Sequence, residues 1–209
     1  PASRAGGDYY DFFLDARGRQ VVTVADVSGH GASAAVLMGM LRALLKVLVA
    51  KGDTASEVMV LLNQALLENI GDDPDFISIL IGLIDENRRR LNFCSAGHGH
   101  MLLMGPAKGE LRSLPSGGTV LGCFEATWND DFVDLSPNQS LVLYTDGLIE
   151  VANEEGEEFG RRRLEELLRK VDPVENPAEL VERIRTEVTE FAEGAIFPDD
   201  LTLFIIKFK

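Results

Sequence analysis

GGDYYDFFLDARGRQVVTVADVSGHG, residues 6–31, is the stretch on which the fold turns. Two runs of strand-forming residues, Tyr9–Leu14 and Gln20–Ala25, flank Asp15-Ala16-Arg17-Gly18, so the spacing predicts two strands around a turn. A glycine-punctuated loop, Ser28–Gly31, follows. Ala32–Ala50, rich in Ala, Leu and Met, then predicts a helix closed by Lys51-Gly52. Thr54-x-x-Glu57 has the spacing of a capping box and opens a second helix that reaches Ile70.

Beyond Gly71 the pattern changes to strands. Phe76–Ile84 and Arg90–Ser95 read as strands joined by a turn, and Met101–Met104 with Leu111–Leu114 as a further hairpin. Phe132–Leu135 and Leu141–Tyr144 are expected to pair across Ser136-Pro137-Asn138-Gln139. Arg161–Lys170 and Ala178–Glu193 read as helices. Leu201–Phe208 is a mostly apolar closing strand, expected at the centre of a sheet. Paired helices and consecutive hairpins predict an α+β chain with largely antiparallel sheets.

The 209 residues include 34 Asp and Glu against 20 Lys and Arg, a formal net charge of −14. That length fits one domain over residues 1–209, and a 45% hydrophobic content excludes general disorder. The negative balance argues against nucleic acid and anionic membrane surfaces as partners. The longest apolar stretch contains Arg42 and Lys46, which argues against membrane insertion. Two cysteines, Cys94 and Cys123, make no disulfide framework or metal motif; they are expected in the core of a cytoplasmic protein. Pro1 opens the chain and a motif begins almost at once, which we read as a fragment of a longer protein.

Several acids stand at the edge of an apolar strand beside Gly or another acid: Asp8 and Asp11, Asp26, Asp146, and the pair Asp199-Asp200. Any one of them alone is an ordinary turn-forming Asp. Together they matter, because two carboxylates about 4 Å apart repel by roughly 4 kcal/mol at an effective dielectric of 20. A convergent cluster therefore needs cations, and oxygen-only donors suit Mg²⁺ or Mn²⁺.

Six stretches carry a family resemblance: Gly6-Gly7-Asp8-Tyr9-Tyr10-Asp11-Phe12, Asp26-Val27-Ser28-Gly29-His30-Gly31, Ser95-Ala96-Gly97-His98, Leu143-Tyr144-Thr145-Asp146-Gly147, Gly156-Glu157-Glu158-Phe159-Gly160 and Asp199-Asp200-Leu201-Thr202. In this order they resemble the SpoIIE-like branch of the PPM metal-dependent serine/threonine phosphatases. The resemblance implies an antiparallel β-sandwich flanked by helix pairs, a four-layer αββα arrangement, with a centre of two divalent cations, Mn²⁺ or Mg²⁺, at one end.

Carried over by position, Asp26 looks like the carboxylate bridging both ions and Asp8 like a ligand of one, while Asp146 and Asp199 look like ligands of the other. The Val27 backbone carbonyl looks like a further ligand. Asp11 and Asp200 are candidates for weak ligands or for residues behind the direct ones. Arg4, before Asp8, is a candidate phosphate-binding group, and His30 a candidate proton donor. His98 is expected to be a hydrogen-bonded structural histidine. The implied chemistry is direct in-line attack by a water between the ions, without a phosphoenzyme.

The implied substrate is a phosphoserine or phosphothreonine on an anti-sigma-factor antagonist in bacterial signalling. An N-terminal receiver or sensor domain is the implied regulator and a homodimer a further candidate assembly. The segment from Asp146 to Arg161 is expected to be a mobile flap. Rival readings are weaker. Gly29-x-Gly31-x-x-Ala34 has the outline of a dinucleotide fingerprint, but a second helix follows instead of the strand a βαβ unit needs. Gly6-Gly7-Asp8 is shared with diguanylate cyclases, but Tyr-Tyr follows it here. The alternative from another class is a phosphatase fold that is catalytically silent and only binds a signalling partner.

Overall fold

A computed structural model of the chain describes residues 7–29, 31–70, 75–86, 89–194 and 200–209. Its internal contacts divide it into two compact units, one of residues 1–99 and 115–134, the other of residues 100–114 and 135–209.

The first unit begins with β1 (Asp8–Leu14) and β2 (Gln20–Val27), an antiparallel hairpin. Asp15 closes it: its backbone N–H donates to the Arg19 carbonyl at 3.0 Å, and its Oδ1 accepts from the Arg17 and Arg19 N–H groups at 2.9 and 2.8 Å. Gly18 takes φ +76°, the left-handed conformation that ends a three-residue hairpin loop. β3 (Ile77–Asp85), β4 (Arg90–Ala96) and β7 (Asp131–Asp134) complete a five-stranded sheet in the order β1-β2-β3-β4-β7. β2 and β3 are buried on both faces over most of their length, as suits inner strands.

Two helices cover one face of this sheet, α1 (Ala32–Leu48) and α2 (Ala55–Ile70). Ala34, Leu37, Leu41 and Leu45 form the buried stripe of α1. They pack with Val58, Met59, Leu62 and Leu66 of α2 and with Val21, Ala25, Val27, Ile77, Ile79 and Ile81 of the strands. Arg19 ties the helix pair to the hairpin, donating to the Val49, Gly52 and Asp53 carbonyls at 2.7, 3.0 and 2.9 Å and to Asp15 Oδ2 at 2.8 Å. The α2 N-terminus is capped mainly from outside the helix. The Ala55 N–H donates to Asn92 Oδ1 at 2.7 Å and the Ser56 N–H to Asp130 Oδ1 at 3.0 Å, while the Ser56 hydroxyl meets Asp130 Oδ2 at 2.6 Å. The expected capping box is present in shifted form, with Thr54 Oγ1 accepting from Glu57 N–H at 3.4 Å and the Glu57 carboxylate accepting from the N–H of Asp53.

The second unit holds a four-stranded antiparallel sheet in the order β6-β5-β8-β9, formed by β5 (Met101–Met104), β6 (Leu111–Ser113), β8 (Ser140–Tyr144) and β9 (Leu203–Lys207). Helices α3 (Gly160–Lys170) and α4 (Pro177–Ala192) share its core, where Leu164, Leu168, Leu180, Ile184 and Val188 pack with Leu102, Val142 and Tyr144. Asn176 caps α4, its side chain accepting from the Ala178 N–H at 2.9 Å, with Pro177 in the first turn. No helix among the described residues is long and apolar enough to cross a membrane.

Three expectations are corrected. The segments expected to pair across Ser136–Gln139 lie in different sheets: β7 pairs with β4, and β8 with β5 and β9. All five residues of β8 are buried, so it needs a neighbour on each side, whereas β7 buries only Val133 and suits an edge. β9 is an edge strand rather than a central one and is half-buried throughout. The segment after Asp146 is anchored rather than loose: Leu148, Val151 and Phe159 are in the core, and the Phe159 and Gly160 N–H groups donate to the Val151 and Ile149 carbonyls, both at 2.8 Å. Its acidic tip, Glu154–Glu158, is exposed.

Candidate metal centre

The β1–β2 hairpin sets the first part of the site. Its register places Asp8 directly opposite Asp26, so the two carboxylates leave the same face of the sheet. Ser78 of β3 lies opposite Asp26 on the other side and extends this row. Both Asp8 and Asp26 are half-buried at the end of their strands. Gly7, next to Asp8, accepts the Val27 N–H at 3.2 Å. A Cβ on Gly7 would lie 2.5 Å from the Val27 carbonyl oxygen and 3.2 Å from Asp26 Oδ1. Only glycine therefore lets β1 run this close to the carbonyl and carboxylate expected to be ligands. Two facing carboxylates and an adjacent carbonyl form an all-oxygen donor set, which fits a hard divalent cation.

The loop after Val27 is held from β3. The Ser28 N–H donates to the Phe76 carbonyl at 2.9 Å, and Ser28 Oγ accepts from the Phe76 N–H at 2.7 Å. His98 is buried and its Nδ1 lies 3.3 Å from Ser78 Oγ, the hydrogen-bonded structural placement expected for it.

In the second unit Asp146 follows β8 and opens a 3-10 turn over Asp146–Leu148, where its Oδ1 accepts from the Gly147 N–H at 3.1 Å. Thr145 and Thr202 clasp one another. The Thr145 N–H donates to the Thr202 carbonyl at 3.1 Å and the Thr202 N–H to Thr145 Oγ1 at 3.0 Å. Asp146 directly follows Thr145 and Asp200 stands two residues before Thr202, so this clasp brings their chain segments side by side. Asp200 is exposed. His100 stacks on Tyr144 with ring centroids 5.0 Å apart. Burial holds the His100 imidazole below its usual pKa, against the pull of Asp146 and with the help of Arg161.

Not every expected site residue joins this arrangement. Asp11 is on the opposite face of β1 from Asp8, because strand residues three apart point to opposite sides. Its carboxylate accepts from Lys46 Nζ at 2.7 Å and from the Tyr9 hydroxyl at 3.0 Å. Burial disfavours its charge, but these bonds and the Lys46 charge hold it below the usual carboxylate range. Asp11 therefore braces β1 against α1 rather than standing behind Asp8. Arg4, His30 and Asp199 lie outside the described residues. Among the described residues no group of three or more His, Cys, Asp or Glu side chains is gathered as a metal site. Cys94 is buried, and burial followed by the Asp130 and Asp131 charges pushes its thiol up to about 12. Cys123 is exposed, contrary to the expectation that both cysteines are core residues.

Sequence reasoning did not single out Gly7, the Thr145–Thr202 clasp or the Ser28–Phe76 bonds. Gly7 stood in the motif, but its close approach to Val27 becomes visible only when the two strands are paired.

The fold is that of a PP2C-type phosphatase domain. The SiaA-PP2C domain of Pseudomonas aeruginosa superposes with a TM-score of 0.87 at 23% identity, over 100% of this chain and 83% of that one. The chain belongs to the stage II sporulation protein E (SpoIIE) family, whose model matches residues 16–209. Asp26, Asp146 and Asp199 fall inside that match and Asp8 precedes it. Protein IcfG of Synechocystis sp. is 28% identical over 99% of this chain and 36% of its own length. Phosphoserine phosphatase RsbU of Bacillus subtilis is 27% identical over 100% of this chain and 61% of its own length. The chain thus spans between about a third and three-fifths of these relatives.

Proposed function

We propose that this chain is a metal-dependent phosphoprotein phosphatase acting on phosphoserine or phosphothreonine. The observation that carries the reading is the Asp8–Asp26 pair, opposed across β1 and β2 beside a Val27 carbonyl that Gly7 leaves accessible. SpoIIE-family membership and the similarity to a phosphoserine phosphatase support it. Asp26 and Asp8, with the Val27 carbonyl, are the proposed ligands from the first unit, and Asp146 and Asp199 those from the second. The assignment of Asp146 and Asp199 rests on the resemblance of their motifs.

Two divalent cations, Mn²⁺ or Mg²⁺, would supply activation of water and charge neutralisation at the phosphoryl group when bound. The chain's own part is to hold the carboxylates in register on rigid strands, so that their mutual repulsion is released only by cation binding. Ser28 and Phe76 fix the loop that follows Val27, and Arg4 and His30 remain the proposed phosphate-binding and proton-donating groups. From the SpoIIE-like resemblance of the motifs we take the substrate to be a phosphorylated anti-sigma-factor antagonist in the cytoplasm. A receiver or sensor domain, N-terminal in the full-length protein, is the proposed regulator, and homodimerisation a proposed assembly.

The test is Mn²⁺-dependent hydrolysis of an aryl phosphate by wild type and by Asp26→Ala. The variant should lose at least about a hundredfold in rate, more than the 10–100-fold typical for residues behind a metal's direct ligands. Equal rates would overturn the reading and favour a silent partner-binding module.

A further inference from the structure

We propose that the groove between α2 and residues 125–127 docks the polypeptide that flanks the phosphorylated residue, and that it selects flanks combining an apolar residue with Lys or Arg. This rests on the phosphatase reading and names the substrate chemistry of the same site. A row of backbone pairs runs from Val27 of the candidate metal centre to Leu121, four residues before the groove-lining segment 125–127. Val27 pairs with Ile77, and Ile77 pairs in turn with Leu121 through hydrogen bonds of 3.1 and 2.9 Å. Two strand spacings, about 10 Å, therefore separate the Val27 backbone from that of Leu121. An extended peptide covers that distance in about three residues.

After Leu121 the chain makes a turn held by a buried side chain. Asn63 of α2 accepts the Gly122 N–H on Oδ1 at 2.9 Å and donates from Nδ2 to the Phe124 carbonyl at 3.0 Å. Both ends of the amide are used, so the turn is fixed while Phe124 projects outward, 56% exposed. Phe76, whose backbone is bonded to Ser28, is 41% exposed. A large aromatic side chain displayed on a rigid turn is the kind of anchor on which binding energy concentrates.

Beside Phe124 lies a groove of about 720 Å³ with Val60, Leu67 and Ala126 among its walls. Glu68 and Glu125 are its described charged residues, and both are exposed. Apolar walls with carboxylates at the margin fit a segment that places an aliphatic side chain inward and a cation outward. The charge of −14 on the whole chain steers such a segment inward.

Two fluorescein-labelled phosphoserine peptides test this by anisotropy, one with Leu and Lys flanking the phosphoserine and one with Gly and Glu. Wild type should bind the first about tenfold more tightly. Glu68→Lys with Glu125→Lys should abolish that preference, and Phe124→Ser should reduce it. Equal Kd values for the two peptides in wild type, or a preference that survives the double charge reversal, would overturn the docking site. Aryl phosphate hydrolysis on the same preparations reads the phosphatase assignment separately: an inactive wild type that keeps the peptide preference counts against the assignment and not against the groove.

Discussion

Adding one methyl group at Gly7 and one at Gly39 should move stability in opposite directions. At Gly7 the new Cβ would meet the Val27 carbonyl oxygen at 2.5 Å, a backbone atom in the adjacent strand. Ordinary carbon–oxygen contacts begin at about 3.3 Å, so the strands must part by roughly 0.8 Å at their end. Overpacking of this kind costs about 1–3 kcal/mol, which for a domain of this size lowers Tm by about 2–12 °C. Gly39 is exposed in the middle of α1 with nothing within 4 Å of an added Cβ, and its φ is not in the left-handed region. There Ala should stabilise by about 1 kcal/mol through helix propensity and raise Tm by about 2–4 °C. Thermal melting with and without Mn²⁺ separates the effects further. A bound cation stabilises by mass action, and that gain should shrink in Gly7→Ala, where the Val27 carbonyl and Asp26 are displaced, yet persist in Gly39→Ala. A Gly7→Ala protein that melts no lower than wild type with an undiminished Mn²⁺ gain would refute the close approach at β1.

Further outcomes follow from the buried acids and the thiols. Asp15 and Asp130 are both partly desolvated, which opposes their charge, but hydrogen bonds from Arg19 to the one and from Ser56 and Asn92 to the other hold both below the usual carboxylate range. A depressed carboxylate stabilises the fold above the unfolded-state pKa, about 4, and the contribution is lost as pH falls through the lower folded value. Urea midpoints should therefore fall between about pH 5 and pH 2. Asp130→Ala should cost about 1–2 kcal/mol at neutral pH through the lost cap on α2 and make that fall shallower; an unchanged pH profile would contradict the network. In the native protein a thiol reagent should label Cys123 and spare Cys94, and equal labelling would place Cys94 outside the core.

Most of the secondary structure was legible in the sequence, because it follows from local pattern. The α1 stripe and the Asn176–Pro177 start of α4 express helix periodicity and capping, which depend on neighbours within a few residues. The error over β7 and β8 had a different source. A short Ser-Pro-Asn-Gln connection between apolar runs is compatible with a hairpin and equally with a passage from one sheet to another. This connection instead bonds to the far end of the chain, the Phe208 N–H donating to the Gln139 carbonyl at 2.9 Å and the Asn138 N–H to the Phe208 carbonyl at 2.8 Å. No local signal marks a partner that distant.

For the candidate site, residue type and motif order singled out Asp8, Asp26, Asp146 and Asp199, and oxygen-only chemistry pointed to divalent cations. Which acids face together was decided by pairing. A four-residue turn over Asp15–Gly18 would have set Asp8 against Ala25 and turned the two carboxylates to opposite faces. The observed loop pairs Asp15 with Arg19 around a left-handed Gly18, and that shift of one residue sets Asp8 against Asp26. The same alternation sends Asp11 to Lys46 on α1, away from the Asp8–Asp26 row. Composition and motif order thus determined the family and the chemical type of the site. Register and strand order, which depend on loop geometry and on which faces can be buried together, decided which residues meet.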